Sequence, residues 1–285
     1  MNWNAWPSVL WVEGVSYYFD SSIPEQTKNA FRDAAKQWES HTCINFTENS
    51  SAFDRVKVSS LSGCYSHVGR IGGEQVLSLG NGCGASYIAA HEIGHLLGFI
   101  HTHSRYDRDD YVKVVWEYIE PGHNGDFGKY IPKTNDNFGL LYDYGSIMHY
   151  AAADYSTNGQ LTLRPLDYNY VQTIGGPFIG FVDYYMMNFL YNCTDRCKSD
   201  TSAKCENGGF PHPRDCSKCI CPRGYGGDQC NERVSREFVK RTLNSFSRAN
   251  NSNSSSVIET ERTKSLYFLR ENLELKEKPS VKFQT

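Results

Sequence analysis

The chain has no block of basic residues. Its 285 residues hold 29 Lys and Arg against 32 Asp and Glu, a net charge of −3. A balance this near neutrality gives no electrostatic footprint for a nucleic acid, so none is expected as a partner. No apolar run approaches the roughly 18 residues of a membrane span. The run Val9 to Val12 near the start is too short for a signal peptide and has no basic flank. There is no internal repeat, and no cysteine after Cys230. Up to and including Cys230 there are ten, an even number at uneven spacing that suits an oxidising compartment. Hydrophobic residues make up 39% of the chain, enough for a core.

Residues 1–193 read as one mixed α+β domain. Val15 to Phe19 is strand-like. Pro24 then opens a helix to about Glu39, with Phe31, Ala34, Ala35 and Trp38 at helical spacing. Ile44 to Phe46, Arg55 to Ser59 and Gln75 to Leu79 are further strand candidates. A second helix runs from Ala85 to Leu97 and stops at Gly98. The chain is then loop-rich to about residue 180, and a last helix is expected from Asp183 to Tyr191. Residues 194–232 form a separate module: six cysteines in 34 residues, too few aliphatics for a core of its own. Residues 233–285 are polar and read as a disordered tail, although Val234, Phe238, Val239, Leu243 and Phe246 could share a helix face.

The chemistry is concentrated in His91-Glu92-Ile93-Gly94-His95-Leu96-Leu97-Gly98-Phe99-Ile100-His101. His91 and His95 lie one helical turn apart and leave the same face, so both can bind one zinc ion. Gly98 tolerates the positive φ of a sharp turn that returns His101 as a third ligand. Three nitrogen ligands leave a position open for water, the mark of a catalytic zinc site. Glu92, beside the first ligand, is placed to take a proton from that water. A five-residue HExxH occurs by chance in ordinary amphipathic helices. The longer form, with Ser146-Ile147-Met148-His149-Tyr150 downstream as a methionine turn, is the metzincin signature. His103 reads as solvent-facing and His149 as a residue of the turn. His41, His67, His123 and His212 have no ligand spacing.

The run continues His101-Thr102-His103-Ser104-Arg105-Tyr106-Asp107-Arg108-Asp109-Asp110-Tyr111-Val112. With it, with the Ser-Ile-Met-His-Tyr turn, and with Cys64 to Arg70 and the close at Leu190 to Cys193, the chain resembles the astacin family of zinc endopeptidases over about residues 11–193. The resemblance implies a two-lobed fold, with a twisted sheet and the active-site helix above a cleft and a mostly irregular lobe below. It implies one catalytic zinc ion and a protein or peptide substrate. Tyr150 would be a further zinc ligand through its phenolic oxygen, leaving the metal in catalysis to stabilise the oxyanion. Met148 would lie beneath the metal without binding it. Cys64, Tyr65, Ser66 and His67 would border the substrate cleft on an edge strand that pairs with an extended peptide. Cys43 would pair with Cys193, and Cys64 with Cys83.

The chain departs from the family at Thr102, where a Glu that receives the mature amino terminus is usual. An Arg that gives some relatives an acidic preference has no counterpart in Ile174-Gly175-Gly176-Pro177. Cys197, Cys205, Cys216, Cys219, Cys221 and Cys230 resemble an epidermal-growth-factor-like module. Its usual pairing is first to third, second to fourth, fifth to sixth, but the gaps here are unusual, and a zinc cluster at Cys216, Cys219 and Cys221 is the rival reading. An astacin-like domain followed by such a module resembles nematode members of the family. Glycosylation sequons occur at Asn45, Asn49, Asn192, Asn250 and Asn253. The sequence therefore predicts a secreted, monomeric zinc endopeptidase, with a non-catalytic extracellular binding glycoprotein as the alternative. It also predicts that the chain is part of a longer precursor, with signal and pro-segments upstream of Trp11.

Overall fold

The structure is a computed structural model and describes residues 9–234. Five strands form its main sheet: β1 Val15–Phe19, β2 Phe46–Glu48, β3 Arg55–Ser59, β4 Cys64–Ser66 and β5 Glu74–Leu79. Their order is β2-β1-β3-β5-β4, and only β4 runs antiparallel to its neighbour. The strand expected at 44–46 begins two residues later. Ile44 is drawn into the core, and pairing starts with Val15 opposite Phe46.

Helix α1, Glu25–His41, covers one face of the sheet. Pro24 flanks it rather than entering it, and its carbonyl accepts from the amides of Thr27 and Lys28. Phe31 and Trp38 are fully buried on the face that meets the sheet and helix α2, Ser86–Leu96. Burying each such side chain stabilises the fold by roughly 1.5–3 kcal/mol. Trp38 also donates its indole N–H to the Ala90 carbonyl at 2.9 Å, which fixes α2 against α1.

A second apolar core gathers Val112, Val114, Phe127, Tyr142, Tyr144, Leu163 and Ile174. The segments that supply it are mostly turns, with one short pair of antiparallel strands, β6 Val112–Val114 and β7 Leu163–Pro165. The two arginines of the motif after His101 build this lobe. Arg105 grips Asp107 through two nitrogens at 2.9 and 2.7 Å, and Arg108 donates to the carbonyls of His103 and Phe127. Helix α3, Phe181–Leu190, returns to the first core through Met187 and Leu190.

All ten cysteines are paired: Cys43–Cys193, Cys64–Cys83, Cys197–Cys216, Cys205–Cys219 and Cys221–Cys230. The last three follow the first-to-third, second-to-fourth, fifth-to-sixth order and leave no thiolate for a zinc cluster. The cysteine-rich segment carries two small antiparallel pairs, β8 Phe210–His212 with β9 Asp215–Ile220, and β10 Tyr225–Gly226 with β11 Glu232–Arg233. It packs on the preceding domain. Phe210 meets Phe181 and Tyr185 of α3, and Arg214 donates to the carbonyls of Glu39 and Ile44 and to the Asn45 side chain. No described helix is long and apolar enough to cross a membrane. The expected tail, the possible helix from Val234 to Phe246, and Asn250 and Asn253 lie almost wholly outside the described residues. Asn45, Asn49 and Asn192 are exposed.

Candidate metal centre and cleft

Helix α2 buries Ala89, Ala90, Ile93 and Leu96 in the first core and turns His91 and His95 toward the cleft. The helix ends as its sequence predicts. Gly98 adopts φ +112°, its amide donates to the His95 carbonyl, and the Phe99 amide donates to the Gly94 carbonyl. That paired closure is a Schellman motif, and it needs a residue free to take positive φ. The reversal brings His101 back to the other two histidines.

The Nε2 atom of His101 lies 3.2 Å from that of His91 and 3.1 Å from that of His95. The protonation state of two rings follows from their other nitrogen. His91 Nδ1 is 2.7 Å from the Ile147 carbonyl and His95 Nδ1 is 2.8 Å from the Phe99 carbonyl. A carbonyl only accepts, so each Nδ1 carries the proton and each Nε2 presents a lone pair. The Nε2 lone pairs of His91 and His95 face the same point as His101 Nε2, where one cation could be shared by all three. Burial, together with the neighbouring rings at His95 and His101, holds all three pKa values below the usual histidine range, His95 at about 3. Three neutral imidazoles, two of them with carbonyl-fixed tautomers, are the donor set zinc prefers. Among the described residues they are the only group of His, Cys, Asp and Glu side chains close enough to share an ion.

Glu92 is 5% exposed, and its Oε2 has no hydrogen-bond partner. Burial alone pushes its carboxyl up to about 8. An unpartnered buried carboxylate is costly for stability and marks a group kept for another purpose.

The turn at 146–150 is locked from two sides. Ser146 Oγ and the Ile147 amide donate to the buried Asp183 of α3 at 2.6 and 3.2 Å, and the Met148 carbonyl accepts from the Thr102 amide at 2.9 Å. Met148 is 1% exposed and lies beneath α2. Tyr150 has its ring 4.6 Å from that of His101. His149 is excluded as a ligand because both its nitrogens are engaged, by the Tyr150 carbonyl and by the Tyr142 hydroxyl.

A cleft of about 1290 Å³ opens over these groups. Cys64, Tyr65 and Ser66 of β4 border it, and β4 ends the sheet, so one backbone edge is without a strand partner among the described residues. His67 does not join the lining. The strand stops at Ser66 and the imidazole is exposed beyond it. Gly175, Gly176, Pro177, Tyr155 and Lys129 also line it.

Two expectations are corrected or extended. His103, read as solvent-facing, is fully buried, with its ring 4.0 Å from that of Tyr150 and its Nε2 donating to the Asp126 carbonyl. The chain beyond His101 turns inward as a short 3-10 segment, so proximity to a ligand did not mean proximity to solvent. At Thr102 the hydroxyl donates to Ser146, which donates to Asp183, so a relay of hydroxyls leads to a carboxylate sequence reading missed. Its position near the start of an apolar helix was the one available signal.

Residues 3–192 match the model of the Astacin family of peptidases. Over 228 residues, 80% of the chain, it is 47% identical to zinc metalloproteinase nas-31 of Caenorhabditis elegans, and it is 42% identical over 230 residues to nas-32 of the same organism. It spans 37% and 34% of the length of those relatives. Among solved structures it is similar to high choriolytic enzyme 1, a hatching enzyme zinc-protease of the medaka fish Oryzias latipes. That likeness has a TM-score of 0.60 at 34% identity and covers 65% of this chain and 92% of that one.

Proposed function

Because the chain belongs to the astacin family of peptidases, we propose that it is a zinc-dependent endopeptidase that cleaves internal peptide bonds of proteins outside the cell. The observation that carries this reading is the convergence of three neutral histidine nitrogens beside an unpartnered buried carboxylate. His91, His95 and His101 would hold the ion, which supplies Lewis-acid polarisation of the scissile carbonyl and a water made more acidic.

The chain's own groups do the rest. An extended substrate lies along the open edge of β4 and pairs with it through backbone hydrogen bonds. Glu92, buried and without a hydrogen-bond partner on its Oε2, takes the proton of the attacking water and passes it to the leaving amine. Tyr150 would be a further ligand in the resting state, and its phenol would donate its proton to the developing oxyanion when substrate is bound. Burial pushes the Tyr150 pKa well up, so the phenol keeps a proton to donate. Met148 gives the ligands an apolar base. Five disulfides with no free cysteine support secretion. The cysteine-rich segment is an epidermal-growth-factor-like module and a distinct domain after residue 193.

The test is a cleavage-site profile of a complex peptide mixture digested with the zinc-loaded full chain. Internal cleavage that a chelator abolishes and added zinc restores supports the reading. Cleavage indifferent to the chelator, or none in loaded protein, contradicts it.

A further inference from the structure

Two histidines from distant parts of the chain meet where the cysteine-rich segment touches the domain before it. His41 is the last residue of α1 and His212 the last of β8. Their rings lie 5.9 Å apart at 45°, and both residues are half-buried. Neither lines the cleft.

Each ring is held in place. His41 stacks on Tyr184 of α3 at 4.4 Å and 19°, and its Nδ1 is 2.8 Å from Ser40 Oγ and 3.3 Å from the Gln37 carbonyl. The Asn188 side chain donates to the His41 carbonyl at 2.7 Å. His212 Nδ1 accepts from the Arg214 amide at 3.2 Å. An imidazole nitrogen that accepts carries no proton, so this contact exists only while His212 is neutral. It braces the turn between β8 and β9, from which the Arg214 guanidinium reaches the Glu39 and Ile44 carbonyls and the Asn45 side chain.

The surroundings do not favour further positive charge. Arg214 supplies one cation, and Arg196 supplies another, donating to the Cys43 carbonyl at 3.1 Å. Among the described residues the carboxylates here are Glu39, 3.9 Å from the Arg214 guanidinium, and Asp215, which accepts from Ser217 and pairs with Lys218 at 3.5 Å. Both are engaged by groups other than the imidazoles. Burial pushes the Tyr184 phenol up, so it stays neutral. Burial lowers the pKa of His41, and burial together with His41 lowers that of His212.

We propose that His41 and His212 form a proton-sensitive latch that holds the cysteine-rich segment on the preceding domain at neutral pH and releases it on mild acidification. Protonation sets two cations side by side against Arg214, and it replaces the lone pair that the Arg214 amide uses with an N–H. Below the ordinary histidine pKa of about 6.5 a docked segment binds fewer protons than a free one, so docking weakens as pH falls. Release uncovers the stretch from Glu39 to Asn45 that leads into β2, an edge of the main sheet.

The test is hydrogen exchange of the zinc-loaded full chain, corrected for intrinsic rates, at about pH 7.5 and about pH 5.5, in the parent and in His41→Gln/His212→Gln. In the parent, protection of residues 210–216 and of the end of α1 falls about ten-fold on acidification, while that of α2 is unchanged. In the double variant, which keeps every carboxylate, protection at both places does not change with pH. Equal protection at both pH values in the parent overturns the latch, and so does a double variant as pH-sensitive as the parent. A fall shared by α2 is loss of the whole fold and overturns it as well. Should the double variant lack protection at both pH values, the parent's imidazole resonances decide. His41 and His212 must titrate over the range in which protection is lost, and titration outside that range overturns the proposal.

Discussion

Gly94 and Met148 occupy one another's space. A Cβ added at Gly94 would lie 2.4 Å from the Met148 sulfur and 3.2 Å from its methyl carbon. Helix α2 therefore lacks a side chain between His91 and His95 at the point where the turn at 146–150 passes beneath it. Met148 is 1% exposed.

Gly94→Ala is expected to destabilise the fold by about 1–3 kcal/mol through overpacking. In the double variant with Met148→Ala much of the overpacking cost should vanish, the coupling expected of residues that touch. Urea unfolding of the two single variants and the double variant measures it. Strict additivity would show that the two residues do not meet.

Asp183 links the methionine turn to α3. Its carboxylate accepts from Ser146, Ile147 and Gly180, yet burial and the nearby Asp143 push its pKa up to about 7. An unfolded aspartate ionises near about 3.9. Between these values the folded chain binds more protons than the unfolded one, so this group's contribution to stability is lost as pH rises from about 4 through about 7. Asp183→Asn, which cannot ionise, should remove that part of the slope. Unfolding midpoints of both proteins, at matched zinc loading across this range, check it; parallel slopes would contradict it.

Arg214 fastens the cysteine-rich segment to the end of α1, reaching the Glu39 and Ile44 carbonyls. Among the described residues, none beyond Pro177 lines the cleft. Arg214→Ala should therefore raise amide exchange in residues 197–230 while peptide cleavage stays within about two-fold of the parent. Unchanged exchange would mean that Phe210 against Phe181 and Tyr185 holds the segment without the arginine.

The centre was legible where the signal was local. His91, His95 and Gly98 are fixed by helical spacing and by a glycine that only a chain reversal requires. The family likeness supplied what spacing could not, the partners of Cys43 and Cys64. What stayed hidden depends on distant chain segments. Asp183 meets Ser146 across 37 residues, and nothing in a short apolar helix announces that its carboxylate holds a turn. His103 was misplaced because a 3-10 turn gives no periodicity from which to read a buried face. The meeting of His41 with His212 was invisible, since neither has ligand spacing and they lie in separate segments of the chain.

The central claim is that three histidines hold a zinc ion for which Glu92 is the base. Its most direct test is the rate of peptide hydrolysis by Glu92→Gln and by the parent, measured at equal zinc content. The variant should retain one zinc per chain and lose at least about 100-fold in kcat, the usual scale for removing a general base. Cleavage undiminished in a fully zinc-loaded variant would contradict the account.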